Sequence, residues 1–205
     1  MMKNLKLLTV LLGLFILGSC SSPIVDDELS GHLLMGPYAT TYLTGLKVNE
    51  ALNSLSEATD EEKIEEYKQI FKHPYPREYE QEAKAILLQD YNITDAATTK
   101  SGIAKLIENA KNADYKSFEY AKAANVANFA YSSGYISLEE TEQYEQQVLK
   151  EARANYNDWE TYLNDFLEGR AMDKNSNLDY QELFDIVVND ILLKNENSPY
   201  KTLGL

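Results

Sequence analysis

Residues 115–133 read YKSFEYAKAANVANFAYSS, and this stretch decides the fold class. Alanine and aromatic residues occupy almost every side of a helix drawn through it, and a helix that is apolar all round lies in the interior of a protein. Gly134 follows directly, and glycine is the residue that most readily takes the left-handed conformation that ends a helix. We therefore predict a buried central helix.

The sequence on both sides of this stretch also has helical periodicity. Apolar residues recur at three- and four-residue intervals from about residue 38 onward, and no alternating strand pattern stands out. Three pairs have the spacing of a capping box and predict helix starts: Thr59 with Glu62, Ser137 with Glu140, and Asn157 with Glu160. We expect one all-α domain over residues 38–205, with about seven or eight helices.

The N-terminal residues have the features of a bacterial lipoprotein signal. Two lysines precede the mostly apolar residues 7–18, and small residues then lead to Cys20, the only cysteine of the chain. The apolar run is too short to span a bilayer as a helix, which takes about 20 residues. We predict a signal peptide over residues 1–19, cleavage before Cys20, and acyl chains such as palmitate on that cysteine.

Residues 20–37 are predicted to be the lipidated cysteine and a polar tether, which ends at a glycine and a proline. The anchor places the protein in the cell envelope, on a membrane. Ser21 follows the cysteine, and it is not the aspartate that retains some lipoproteins in an inner membrane. The outer membrane is therefore favoured if the cell has two.

The charge of the chain is strongly negative. It has 33 acidic and 19 basic side chains, for a formal net charge of −14. Such a protein repels phosphate backbones, so we expect no nucleic-acid partner. A basic protein partner is electrostatically favoured.

The familiar catalytic and metal-binding motifs do not occur in the sequence. His32 and His73 are the only histidines, and they are assigned to the tether and to a proline-broken turn. Cys20 is committed to lipid, so no Cys–His nucleophile is expected. Residues 173–179 alternate oxygen ligands but lack the glycine and the final glutamate of a calcium loop. We expect no metal and no cofactor.

The best candidates for a site are the polar residues of the central helix and one arginine beyond it. Glu119 and Lys122 are three residues apart and can pair on one helical face. Asn125 lies one turn further on, and Arg170 ends the aromatic helical face that begins at Trp159. These residues form either a structural ion pair that sets the helix register or part of a binding pocket.

Four segments resemble a bacterial family of unknown function, DUF1266. They are Phe118-Glu119-Tyr-Ala-Lys122-Ala-Ala-Asn125, Tyr131-Ser-Ser-Gly134-Tyr135-Ile136-Ser137, Asp158-Trp159-Glu160 and Leu167-Glu-Gly169-Arg170. The resemblance covers about residues 84–171 well and residues 38–83 more weakly. It implies an all-helical domain with no established activity. The aromatic and turn positions of these segments are predicted to have structural roles. These positions are Tyr131, Gly134, Tyr135, Trp159 and Gly169.

Three hypotheses for the function follow from these observations. The leading one is a non-enzymatic protein-interaction module on the cell envelope, of which an immunity-type protein that neutralises a toxin is one form. The second is a ligand-binding or hydrolytic domain that acts on an envelope polymer through the four polar candidates. The third is a structural envelope scaffold that assembles through its helical faces.

Overall fold

A computed structural model describes residues 24–173 and 178–205. These residues form eleven α-helices, a 3-10 turn at Arg77–Tyr79 and a π-helical segment at Val187–Leu192. The α-helices are α1 (Asp27–Leu33), α2 (Gly36–Tyr42), α3 (Gly45–Asn53), α4 (Asp60–Phe71), α5 (Glu80–Tyr91), α6 (Ala96–Asn112), α7 (Lys116–Ser132), α8 (Leu138–Arg153), α9 (Trp159–Met172), α10 (Leu178–Ile186) and α11 (Pro199–Thr202). The all-α prediction is confirmed over these two ranges, but the expected seven or eight helices are too few.

The predicted central helix is α7. It packs against α5, α6, α8 and α9, and its alanines are fully buried. Small side chains let four neighbouring helices approach its backbone closely. The helix ends at Gly134, whose φ is +77°. Tyr135 N–H donates to the carbonyl of Ala130 at 2.9 Å and Gly134 N–H to that of Tyr131 at 3.0 Å, which is a Schellman motif.

The start of α7 is capped by a side chain from another helix. The residue at its own cap position, Tyr115, makes no capping hydrogen bond. Instead Asp165 of α9 accepts from the backbone N–H of Ser117 at 3.0 Å and from its hydroxyl at 2.9 Å. Since unpaired N–H groups at a helix start favour a negative charge, Asp165 stabilises α7 and fixes its position against α9.

The prediction that residues 20–37 form a tether is wrong for the part that the structure describes. From Asp27 the chain forms α1 and α2, and Leu29, Leu33 and Met35 are fully buried. The acidic residues that suggested a solvated coil start a helix instead, because the carboxylate of Asp26 accepts from the N–H of Leu29 at 2.9 Å.

The two ends of the described chain meet beside α1. The N–H of Gly204 donates to the carbonyl of Ile24 at 3.0 Å, and the hydroxyl of Tyr200 donates to that of Leu33 at 2.7 Å. Gly36 makes this contact possible, because a Cβ there would lie 1.5 Å from the Tyr200 hydroxyl oxygen. The N-terminal helices are therefore part of the core and not an appendage.

Two of the three predicted capping boxes are confirmed, at Thr59 and at Ser137. The third is wrong, since α9 is capped by Asp158, whose carboxylate accepts from Thr161 N–H at 2.7 Å. Asn157 and Asp158 are both good caps, and only the actual path of the chain selects between them.

The predicted signal peptide, Cys20 and most of the 173–179 loop lie outside the described residues. Within residues 24–173 and 178–205, none of the helices is long and apolar enough to cross a bilayer.

Candidate functional site

A concave surface lies where the start of α7 meets the end of α9. It is open to solvent and has a volume of about 610 Å³. We call it the Glu119 pocket, and the residues that line it are Ala113, Asp114, Tyr115, Phe118, Glu119, Lys122, Gly169, Met172 and Asp173. Two of the four predicted site residues, Glu119 and Lys122, therefore line one concavity.

The floor of the pocket depends on the close approach of α7 and α9 at Gly169. A Cβ on this residue would lie 2.6 Å from Cβ of Phe118 and 2.9 Å from Cβ of Tyr115. Any side chain there would push the two helices apart, which accounts for glycine at a position that the sequence marked as structural.

The charges of the pocket are unevenly matched. Glu119 Oε1 accepts from Lys122 Nζ at 2.5 Å, and the same ammonium lies 4.3 Å from the centroid of the Phe118 ring. The second carboxylate oxygen, Oε2 of Glu119, is buried and has no hydrogen-bond partner among the described residues. Asp114 and Asp173 add two further carboxylates to the same surface. The pocket therefore favours a group that carries positive charge and N–H donors.

Arg170 does not reach Glu119. Its Nη1 lies 3.4 Å from Oδ2 of Asp173, and its guanidinium carbon lies 5.0 Å from the centroid of the Phe184 ring. The prediction that it ends the helical face that starts at Trp159 is confirmed. Arg170 thus helps to position the Asp173 side of the pocket without lining the pocket itself.

A half-buried tyrosine, Tyr91, is influenced by two carboxylates of the pocket. Burial raises the pKa of the Tyr91 phenol, and the negative charges of Asp90, Glu119 and Asp173 raise it further. The phenol therefore remains a protonated hydrogen-bond donor at any physiological pH.

Asn125 lies away from the pocket. It is buried, and its Oδ1 accepts from the hydroxyl of Tyr75 at 2.5 Å. The Tyr75 ring in turn stacks on Phe129 with centroids 4.2 Å apart. Asn125 thus has a structural role in the core, because a buried amide needs a partner there.

The aromatic and turn residues named from the family resemblance hold the core and its turns. Trp159 is buried with its ring edge-on to Tyr162 and Tyr200, at 5.6 and 5.2 Å between centroids. The guanidinium of Arg77 lies 4.5 Å from the centroid of the Tyr131 ring. Lys84 Nζ lies 5.7 Å from that of Tyr135. Cation–π contacts of this kind fix both sides of the turn at Gly134.

A second polar cluster, which the sequence analysis missed, lies at the other end of α7. Nδ1 of His32 lies 2.8 Å from Oε2 of Glu145, and both side chains are only 1% exposed. Oε1 of Glu145 accepts from Nδ2 of Asn128 at 2.7 Å, and Oδ1 of Asn128 lies 3.3 Å from Nδ1 of His73. The two imidazole rings are 5.2 Å apart. We call these four side chains the histidine network.

One sequence signal could have revealed this network. Glu145 lies four residues after Thr141 and three before Val148, on the face of α8 that the apolar periodicity marks as inward. An acid on a buried face requires donors nearby. The histidines were assigned to a tether and to a turn, so they were not considered as its partners.

Neither cluster has the arrangement of a metal centre. In the described parts of the chain, no set of three or more His, Cys, Asp and Glu side chains is placed to hold a metal ion. The Glu119 pocket can bind a cationic group through its carboxylates and aromatic wall. The histidine network is largely buried, with the His32 and Glu145 side chains only 1% exposed and the His73 side chain 13% exposed.

A comparison with protein families agrees with the pattern of the four segments. Neither curated proteins nor solved structures give a significant match. The model of the family described as "Protein of unknown function (DUF1266)" matches residues 38–205, a wider range than the segments that carry the resemblance. Since this match covers most of the sequence, the chain belongs to the DUF1266 family.

Proposed function

We propose that this protein is a lipid-anchored envelope protein whose helical domain is a non-enzymatic protein-interaction module. The observation that carries the proposal is the buried, unpartnered Oε2 of Glu119 at an acidic concave surface. An acceptor of this kind costs free energy in the free protein and gains a partner when a donor enters the pocket.

The chemistry of the pocket favours a basic side chain from a protein partner. Two carboxylates, those of Asp114 and Glu119, outnumber the single ammonium of Lys122, and the third, that of Asp173, is paired with Arg170. Tyr115 and Phe118 contribute aromatic surface, which attracts lysine and arginine side chains. The net charge of −14 steers a basic partner toward the protein from a distance. An immunity-type protein bound to a basic toxin is one form of such a pair.

The proposed lipid anchor would hold the domain close to a membrane. The described chain is packed against the domain from Ile24 onward. Residues 20 to 24 can therefore span at most about 14 Å, at 3.3–3.6 Å per residue. A partner that acts at the membrane surface would lie close to the domain.

The test is a quantitative pull-down from envelope extract with the lipidated full-length protein, with co-purifying chains identified by mass spectrometry. The pocket variant combines Asp114→Asn with Glu119→Gln. The matched control combines Glu65→Gln with Glu66→Gln, which removes the same charge from an acidic concave surface on α4. We expect a stoichiometric partner that the pocket variant retains at least tenfold less and the control retains fully.

Two outcomes would contradict the proposal. Equal loss of the partner from both variants would mean that overall charge, and not the pocket, holds it. No stoichiometric partner at all would rule out the interaction module and favour the second hypothesis, in which the pocket binds an envelope polymer. A glycan screen with the same two variants would then be the next measurement.

A further inference from the structure

The histidine network joins four separate parts of the fold. His32 belongs to α1, His73 to the turn after α4, Asn128 to α7 and Glu145 to α8. We propose that this network is an acid-sensitive latch that holds α1 against α7 and α8. The latch does not depend on the proposed partner or on the pocket.

His73 is the member of the network whose protonation the structure disfavours most clearly. Its side chain is 13% exposed and its Nε2 has no hydrogen-bond partner among the described residues. Burial lowers the pKa of His73, and the neighbouring His32 lowers it further. Glu145 and Asn128 act in the opposite direction with smaller effects. The closed network therefore holds His73 in its neutral form.

The charged groups around His73 do not provide a free acceptor for its proton. The nearest carboxylate oxygen is Oε1 of Glu142, 3.9 Å from Nε2 of His73, and this oxygen already lies 3.2 Å from Lys72 Nζ. Lys72 also bonds to Glu28, so Glu28 and Glu142 are already paired with an ammonium, and Glu145 is in contact with Asn128 and His32. The other titratable or charged groups that face the network from α1, α4, the 3-10 turn and α7 are Asp26, Lys68, Arg77 and Tyr131.

The direction of the pH effect follows from the lowered pKa. Above pH 6.5, the ordinary value for histidine, His73 is neutral whether α1 is docked or released, so the network contributes its full stability. As the pH falls below 6.5, His73 binds a proton when α1 is released and the ring is solvated, but remains neutral when α1 is docked. Acid therefore favours release of α1, by up to about tenfold in the opening equilibrium per pH unit for one proton.

Release of α1 would change the reach of the domain. With α1 docked, the chain from residue 20 to residue 24 spans at most about 14 Å. With α1 released and unwound and α2 in place, residues 20 to 36 can span at most about 56 Å. The latch thus sets how far the domain extends from its anchor, a consequence that rests on the proposed lipid at Cys20.

Hydrogen exchange of the full-length chain in detergent micelles tests the latch. Exchange is followed by mass spectrometry from pH 7.5 to pH 5.5 and corrected for the intrinsic rate at each pH. We expect the opening equilibrium of α1 to rise below pH 6.5 by up to about tenfold per unit. Peptides from α6, which contains no residue of the network, serve as the internal control and should show no such rise.

The matched variant is His73→Asn, which removes the titrating ring at a residue with φ of +51°. Asparagine tolerates this left-handed conformation better than most residues. We expect α1 of this variant to exchange equally at all pH values in the range. A wild-type α1 without pH dependence, or a variant with the same dependence as the wild type, would overturn the latch.

A second measurement on the wild type covers the case in which the variant does not fold. The NMR titration of the His73 imidazole should have its midpoint below pH 6.5. The exchange of α1 should rise over the same pH range. A midpoint at or above 6.5 would overturn the latch independently of any substitution.

Discussion

The two halves of α7 differ in where the partners of their polar side chains lie. In the first half, Glu119 and Lys122 pair with each other at three residues' separation and face a solvent-open concavity. In the second half, Asn128 bonds to Glu145, 17 residues away, and lies beside His73, 55 residues away, in a closed interior. Both sets interrupt the same apolar helix, but only the first has its partners within one helical turn.

This difference determines what each half can contribute. A partly exposed ion pair adds little to stability and leaves its oxygens available to a ligand. A buried network stabilises the fold through its paired groups, since each unpaired one costs the full penalty of its burial. The first half of α7 is therefore suited to binding, and the second half to holding the fold together.

Asn128→Leu should have the largest effect of the three stability tests, because it leaves the buried carboxylate of Glu145 without its amide donor. We expect urea unfolding to show a loss of about 3 kcal/mol in the free energy of unfolding. The control is Asn112→Leu at the exposed end of α6, which should change it by no more than about 0.5 kcal/mol. A cost below about 1 kcal/mol for Asn128→Leu would mean that the network does not hold the fold.

Gly169→Ala should have the second largest effect, since its new methyl group meets Cβ atoms of Phe118 and Tyr115 that cannot rotate away. We expect a loss of about 2 kcal/mol and a lower Tm. Gly102→Ala on α6 is the matched control, because its nearest neighbour is the flexible end of Ile93 and alanine favours a helix. Equal melting temperatures for the two variants would contradict the close approach at the pocket floor.

The smallest effect should come from a double-mutant cycle of Glu119→Gln and Lys122→Met. Their side chains are 15% and 19% exposed, and they line a concavity that is open to solvent, so water screens the pair in part. We expect a coupling of about 0.5 kcal/mol that shrinks in 1 M NaCl. A coupling above about 2 kcal/mol that salt does not change would make this pair as structural as the histidine network, and the contrast between the two halves would disappear.

Local patterns predicted much of the fold. The apolar residues of α7, the left-handed Gly134 and the capping boxes at Thr59 and Ser137 were all readable from residues within one or two turns. The pairing of Glu119 with Lys122 was readable in the same way. Each of these features depends on neighbours three to six residues apart, which the sequence places together whatever the rest of the chain does.

The errors arose where a residue's role depends on distant partners. Asn125 was grouped with the pocket residues, yet it bonds to Tyr75, 50 residues away in sequence. His32 was assigned to a solvated tether, although it lies against Glu145 in the core. A polar residue is the same residue type whether it lies in the core or at the surface. Sequence spacing alone could therefore not distinguish these two locations.

The sequence by itself determined the helical class, the central position of α7 and the pairing of Glu119 with Lys122, because these follow from periodicity and local chemistry. Only the tertiary structure decided that residues 29–35 are core, that Asp165 caps α7 and that His32, His73, Asn128 and Glu145 meet. These features require segments far apart in the chain to be brought within hydrogen-bond distance. That happens only when the apolar faces of α1, α4, α7 and α8 are buried against one another.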